Sequence, residues 1–145
     1  RLAMGRALEN MLPQVLVVDE IGTVGEAKAA RTIGERGVQL VATAHGRKLR
    51  DLIGNSELRD LIGGVKQTTI GDDNPRYKET KRKNVSERAS APVFSTLVEI
   101  HSTSRVVVHR NLATAVDAAL EGVSLAVQIR SIDANGVMFV EKGEA

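Results

Sequence analysis

The spacing of apolar positions along this chain changes several times, and each change marks an element. Leu2, Leu8 and Met11, with Ala3, Met4 and Ala7 between them, repeat at helical spacing until Pro13 ends the pattern. Residues 15–18, VLVV, form an unbroken apolar run, the mark of a strand covered on both faces. Gly22-Thr23 then turns the chain. EAKAARTIGER, residues 26–36, predicts a helix with Ala27, Ala30 and Ile33 or Gly34 inward and Gly37 as its C-terminal stop. VQLVATA, residues 38–44, predicts a second buried strand, broken by His45-Gly46. A third helix starts near Arg47. The phrase LRDLIG occurs there twice, at 49–54 and 58–63, and reads as two short helices joined at Asn55-Ser56. Residues 65–70 predict a third strand. The order αβαβαβ implies a parallel sheet with helices on both faces and right-handed crossovers. Ligands of such sheets collect at the carboxyl ends of the strands, here Asp19-Glu20, Thr43-Ala44-His45 and Gly71-Asp72-Asp73.

Beyond Gly71 the pattern lapses. Residues 71–92 hold six Arg or Lys, four acids and almost no apolar side chain, and read as an exposed, mobile loop. Periodicity returns as a hairpin, with strands over 94–100 and 105–109. A helix capped by Asn111 follows and ends at Gly122. A last hairpin over 124–132 and 137–141 turns at Asn135-Gly136. The expected division is an α/β core over 1–73, a basic loop over 74–92, and a small α+β appendage over 93–145.

Composition narrows the function. At 145 residues, with 42% apolar and 26% charged, the chain is an ordinary one-domain length able to bury a core. Aromatics at 2% argue against a single-strand nucleic-acid binder that stacks bases on rings. No cysteine means no disulfide and no thiolate zinc site, and His45, His101 and His109 are too far apart in sequence to suggest a metal centre. The net charge of +2 names no partner, and no apolar run approaches membrane-spanning length. The chain opens on Arg1 inside a helical pattern, so it reads as a fragment of a longer protein whose N-terminal part is missing.

The phrase VLVVDEIG carries the chemistry. An apolar strand ending in Asp-Glu resembles the Walker B element of P-loop ATPases. Asp19 would hold the shell of a Mg²⁺ ion, and Glu20 would polarise the attacking water. The competing reading is that these acids cap the next helix. The mating loop, G-x-x-x-x-G-K-[ST], is nowhere in the sequence. Its nearest approach, GTVGEAKA at 22–29, lacks the second glycine and the hydroxyl and is a decoy. His45, just past the second strand, suits a sensor for the γ-phosphate or for the water-orienting carboxylate, and Thr43 is a weaker candidate for the same job. Arg31, Arg36 and Arg47 are candidates for an arginine offered to a neighbouring subunit, and Thr43 and Arg47 for contacts to the nucleotide. Arg76, Lys78, Lys81, Arg82, Lys83 and Arg88 could follow a phosphate backbone, although the same 71–92 stretch holds four acids.

The phrases PQVLVVDEIGT, EAKAARTIGERGVQLVATAHG and LRDLIGGV, with the K-x-V-x-E-R-x-x-x-P-x-F stretch over 83–94 and the strand ending VVVHR, resemble the stage III sporulation protein AA family. They are most similar to its cyanobacterial and plastid relatives, grouped with AAA-type ATPases. The likeness covers roughly residues 4–122. It implies a RecA-like three-layer α/β/α P-loop core, incomplete here, with ATP and Mg²⁺ as ligands. It also implies a phosphate loop upstream of the Asp-Glu strand, Asp19 as metal carboxylate, and Glu20 and His45 as catalytic and sensor residues. A homo-oligomer located in a bacterial cytoplasm or a plastid stroma would follow. A non-catalytic module binding nucleic acid or protein through residues 76–88 is the alternative.

Overall fold

The computed structural model describes residues 13–145, so the predicted N-terminal helix lies outside the described residues. Strand β1 (Val15–Ile21) pairs in parallel with β2 (Gln39–Ala44), and helix α1 (Val24–Glu35) connects them. Helix α1 starts sharply for a local reason. Thr23 accepts from the Glu26 amide at 3.3 Å, while Glu26 reaches back to the amides of Gly22 and Thr23 at 3.0 and 3.1 Å. Ala27, Ala30 and Ile33 are buried, and Gly37 leaves the helix at φ 83°, as the periodicity predicts.

Two short helical pieces follow, α2 (Leu49–Gly54) and a 3₁₀ turn (Arg59–Ile62), joined at Asn55. Their apolar side chains Leu49, Leu52, Leu58, Leu61 and Ile62 form the centre of the core, with Ile21, Ala27 and Ala30 from one side and Leu112, Ala115 and Val116 from the other.

The third expected strand departs from the prediction. Strand β3 (Val65–Thr69) does not extend the parallel sheet; it pairs antiparallel with β4 (Asn84–Arg88). Its sequence, VKQTT, explains why. A strand inside a parallel sheet needs apolar side chains on both faces, and four of these five are polar. Much of the expected loop is therefore hairpin, with α3 (Pro75–Thr80) at its tip, started by Pro75 and capped by Asn74. The third cluster of acids, Asp72-Asp73, consequently does not join the ends of β1 and β2.

The remainder is one antiparallel sheet in the order β5 (Leu97–Ser102), β6 (Arg105–His109), β7 (Ala126–Ile132), β8 (Met138–Glu144). Helix α4 (Leu112–Glu121) lies between β6 and β7 in the chain; Asn111 caps it and Gly122 ends it at φ 76°. The two predicted hairpins are thus joined edge to edge through β6 and β7. Among the described residues the fold is a mixed α/β arrangement of three sheets. The expectation that residues 15–18 are covered on both faces fails among the described residues. Leu16 and Val18 turn inward, while Val17 is 73% exposed and Val15 and Val41 about half.

Candidate active site at the carboxyl ends of the parallel strands

Parallel pairing brings the carboxyl ends of β1 and β2 side by side. Val18 pairs with Ala42 and Ile21 with Ala44, so Asp19 and Glu20 together lie across from the single residue Thr43. This is a β-bulge with one extra residue on β1. Regular alternation would send Asp19 outward and Glu20 inward, under the sheet. The bulge resets the alternation, so both carboxylates are exposed and the following residue, Ile21, is fully buried.

The structure decides the competing reading of this acidic pair. The carboxylate that caps α1 is Glu26, whose pKa is lowered by the Gly22 amide first and then by Thr23. Asp19 and Glu20 have no capping duty. Asp19 has no hydrogen bond or ion pair among the described residues, and Glu20 has one partner. Glu20 Oε1 lies 3.5 Å from His45 Nδ1, with the side chains 60% and 87% exposed. The decoy GTVGEAKA folds as this cap and the first turns of α1.

His45 opens a tight loop that is held from two sides. Asp51 accepts from the amides of Arg47 and Lys48 at 2.7 and 3.0 Å, and these bonds, the Arg47 amide first, lower its pKa. Gly46 adopts φ 153°, and a Cβ there would come within 3.2 Å of the Asp51 Cβ. Arg47 is exposed at the mouth of an adjoining cleft, and among the described residues its side chain has no bond to Glu20, His45 or Thr43.

The second anchor of this loop escaped the sequence reading. Glu99, on β5 and only 7% exposed, accepts from the Leu49 amide at 2.9 Å with Oε1. The same oxygen lies 2.9 Å from Nε2 of buried His109, and Oε2 lies 3.0 Å from His101 Nε2. A carboxylate accepts only, so His109 donates from Nε2, and its buried Nδ1 has no hydrogen-bond partner among the described residues. The available signal was a carboxylate inside the strand phrase LVEIH. Burial pushes the Glu99 carboxyl up, but bonds from His101, the Leu49 amide and His109 outweigh it and leave the pKa below the ordinary 4.5. A depressed carboxylate stabilises the fold above its unfolded pKa, and that contribution is lost as pH falls through the folded value. Urea midpoints should therefore drop on the acid side of about pH 4.5, and less steeply in Glu99→Gln. Identical acid limbs in the two proteins would refute this assignment.

Other candidates are committed elsewhere. Arg31 is tied to Asp60 at 3.0 Å and to the Ala91 carbonyl at 3.2 Å, which removes it as an arginine for a neighbour. Arg36 lies exposed past the far end of α1, away from the carboxyl ends of the strands. Within the basic segment, Arg88 forms a two-point pair with Asp117 at 3.0 Å, Lys83 pairs with Asp72 at 2.8 Å, and Arg76 pairs with Glu87 and Glu121. Among the described residues no group of three or more His, Asp or Glu is placed to hold a metal by itself.

Residues 3–70 match the family model for sporulation stage III, protein AA. That stretch contains Asp19, Glu20, Thr43, His45 and Arg47. The chain is 46% identical over 138 residues to the ycf45 protein of Porphyra purpurea, a match covering 95% of this chain and 24% of that protein. It is also 46% identical over 129 residues to Protein SEEDLING PLASTID DEVELOPMENT 1 of Arabidopsis thaliana, covering 89% of this chain and 19% of that protein. The ycf45 protein of Cyanidium caldarium is 37% identical over 92% of this chain and 39% of its own length. The chain therefore spans well under half of each of these relatives. No solved structure matches it. Among the described residues no helix is long and apolar enough to cross a membrane.

Proposed function

We propose that this chain is part of an ATP-hydrolysing P-loop ATPase with a RecA-like core, and that Asp19, Glu20 and His45 are its share of the hydrolytic site. The observation that carries this reading is the bulge, which turns two adjacent carboxylates outward with His45 beside the second and no structural duty for either. The donor set suits Mg²⁺, which keeps most of its waters and takes one or two carboxylates together with substrate phosphates. When bound, the ion would neutralise charge on those phosphates. Asp19 would hold its water shell from the strand end. Glu20 accepts a hydrogen bond from the attacking water and aims it, and His45 fixes the Glu20 carboxylate. Thr43, opposite the bulge, adds a hydroxyl within the same outward face. The phosphate cradle would come from a G-x-x-x-x-G-K-[ST] loop, which this sequence lacks, so the chain by itself should bind ATP weakly.

A homo-oligomer, with Arg47 the remaining arginine near the site, and a plastid or cyanobacterial setting, in keeping with the relatives' names, complete the reading. Binding of nucleic acid through residues 76–88 is the weaker alternative, because Arg76, Lys83 and Arg88 already face carboxylates. The test uses the complete polypeptide. It should hydrolyse ATP only with Mg²⁺, and Asp19→Asn should raise the Mg²⁺ needed for half-maximal turnover by roughly tenfold or more. Absence of Mg²⁺-dependent hydrolysis in the complete polypeptide would remove this reading.

A further inference from the structure

Helix α4 and the four-stranded sheet enclose a cavity of about 450 Å³, and Asp19, Glu20, Thr43 and His45 take no part in its walls. On the sheet side Glu99, Val107 and Ile129 stand opposite one another on β5, β6 and β7. His109 and Val127 lie two residues along their strands, on the same face. On the helix side the walls are Ala115 and Ala119, one turn apart. Side chains this short leave open the space that a large apolar residue at either position would fill.

The polar groups of the cavity divide into a buried set and a rim. Both oxygens of buried Glu99 are engaged, Oε1 by the Leu49 amide and His109 Nε2, and Oε2 by His101. His109 is only 3% exposed, and its Nδ1 has no hydrogen-bond partner among the described residues. Native structures leave few buried polar atoms in that condition. The ring lines the cavity, so the partner can come from a molecule inside it. At the rim Lys48, Arg50 and Arg105 are exposed, and among the described residues none of their side chains is paired with a carboxylate. These three cations outnumber the two carboxylates of the lining, Glu99 and Glu144.

We propose that this cavity binds a small hydroxylated organic acid. The acid group sits against Lys48, Arg50 and Arg105, the apolar body lies between Ala115 and Ala119 and the sheet, and the hydroxyl meets His109 Nδ1. A hydroxyl both donates and accepts, so it suits that nitrogen in either protonation state. The volume, the apolar walls and the few placed polar groups are those of a small-molecule site. The inference stands on the cavity and not on ATP hydrolysis.

Calorimetric titration of the complete polypeptide with ω-hydroxyoctanoate, without nucleotide, tests it. A dissociation constant of about 1 mM or tighter is expected. Octanoate, which lacks the hydroxyl, should bind roughly tenfold more weakly, and α,ω-octanediol, which lacks the acid, weaker by a similar factor. Ala119→Phe, which fills the space, should remove binding of all three. Arg105→Gln changes only an exposed side chain; it should weaken both acids about threefold or more and leave the diol unchanged. No binding of ω-hydroxyoctanoate, or binding that persists unchanged in Ala119→Phe, overturns the site. Equal affinity for ω-hydroxyoctanoate and octanoate overturns the contact with His109, and unchanged acid affinity in Arg105→Gln overturns the cationic rim.

Discussion

Glu20→Gln in the complete polypeptide should lower ATP turnover by about a hundredfold or more while leaving nucleotide affinity within about twofold of the parent. Glutamine keeps the shape of the side chain and can still accept a hydrogen bond, but it cannot take up the developing positive charge of a water being deprotonated. The substitution is safe for the fold. Glu20 is 60% exposed, its one partner among the described residues is the His45 ring at 3.5 Å, and the capping of α1 belongs to Glu26. A loss of turnover would therefore report chemistry and not unfolding. Single-turnover and nucleotide-binding measurements on the same preparation separate the two quantities. Turnover equal to that of the parent would dismiss Glu20 as the water-directing carboxylate, whatever else the protein does.

The largest effect on stability should come from Gly63→Ala. Gly63 sits after the 3₁₀ turn at φ 100°, a conformation that costs an L-residue about 1–2 kcal/mol. A Cβ there would also overlap the carbonyl oxygen of Ser90 and come within 2.9 Å of Arg88 Cγ. The overlap cannot be relieved cheaply, because the two segments are laced together. Ser90 N donates to Gly63 O at 2.8 Å, Ala89 N to Gly64 O at 3.2 Å, and Val93 N to Leu61 O at 2.9 Å. This lacing fastens the β3–β4 hairpin to the core. A cost on the order of 3 kcal/mol or more is expected, read as a lowered urea midpoint. Gly22→Ala is the matched control, since none of the described residues lies within 4 Å of its Cβ position, and it should shift stability by at most about 0.5 kcal/mol. Equal midpoints for the two variants would show that the 61–64 and 88–93 segments separate freely.

Local signals in the sequence proved dependable. The inward face of α1, the Asn111 cap and the glycine stops at Gly37 and Gly122 depend on residues within a turn of one another, and the structure contains them. The ends of β1 and β2 adjoin as expected because one helix crossover fixes them. Long-range pairing was hidden. NVSER pairs with VKQTT, but its charged neighbours masked it as loop, and nothing local announces an antiparallel partner 15 to 23 residues away. The parity of β5 was hidden for a different reason. Val98 and Ile100 are apolar positions of LVEIH, yet it is Glu99 that turns inward, where it meets the Leu49 amide, His101 and His109. The sequence singles out Asp19, Glu20 and His45 as candidates, while the bulge that makes them neighbours could not be read from it. An extra residue in one strand is defined only against its partner.

That extra residue sets how many negative charges one strand end can offer to one ligand. Deleting a single position between Val18 and Ile21 would restore a regular two-residue period without disturbing Val18 opposite Ala42 or Ile21 opposite Ala44. The shortened strand would fold as before, but with one acid facing outward in place of two. The outward pair of consecutive carboxylates is thus written into the length of the strand as much as into its letters, and an alignment that closes this gap by one position would erase the pair.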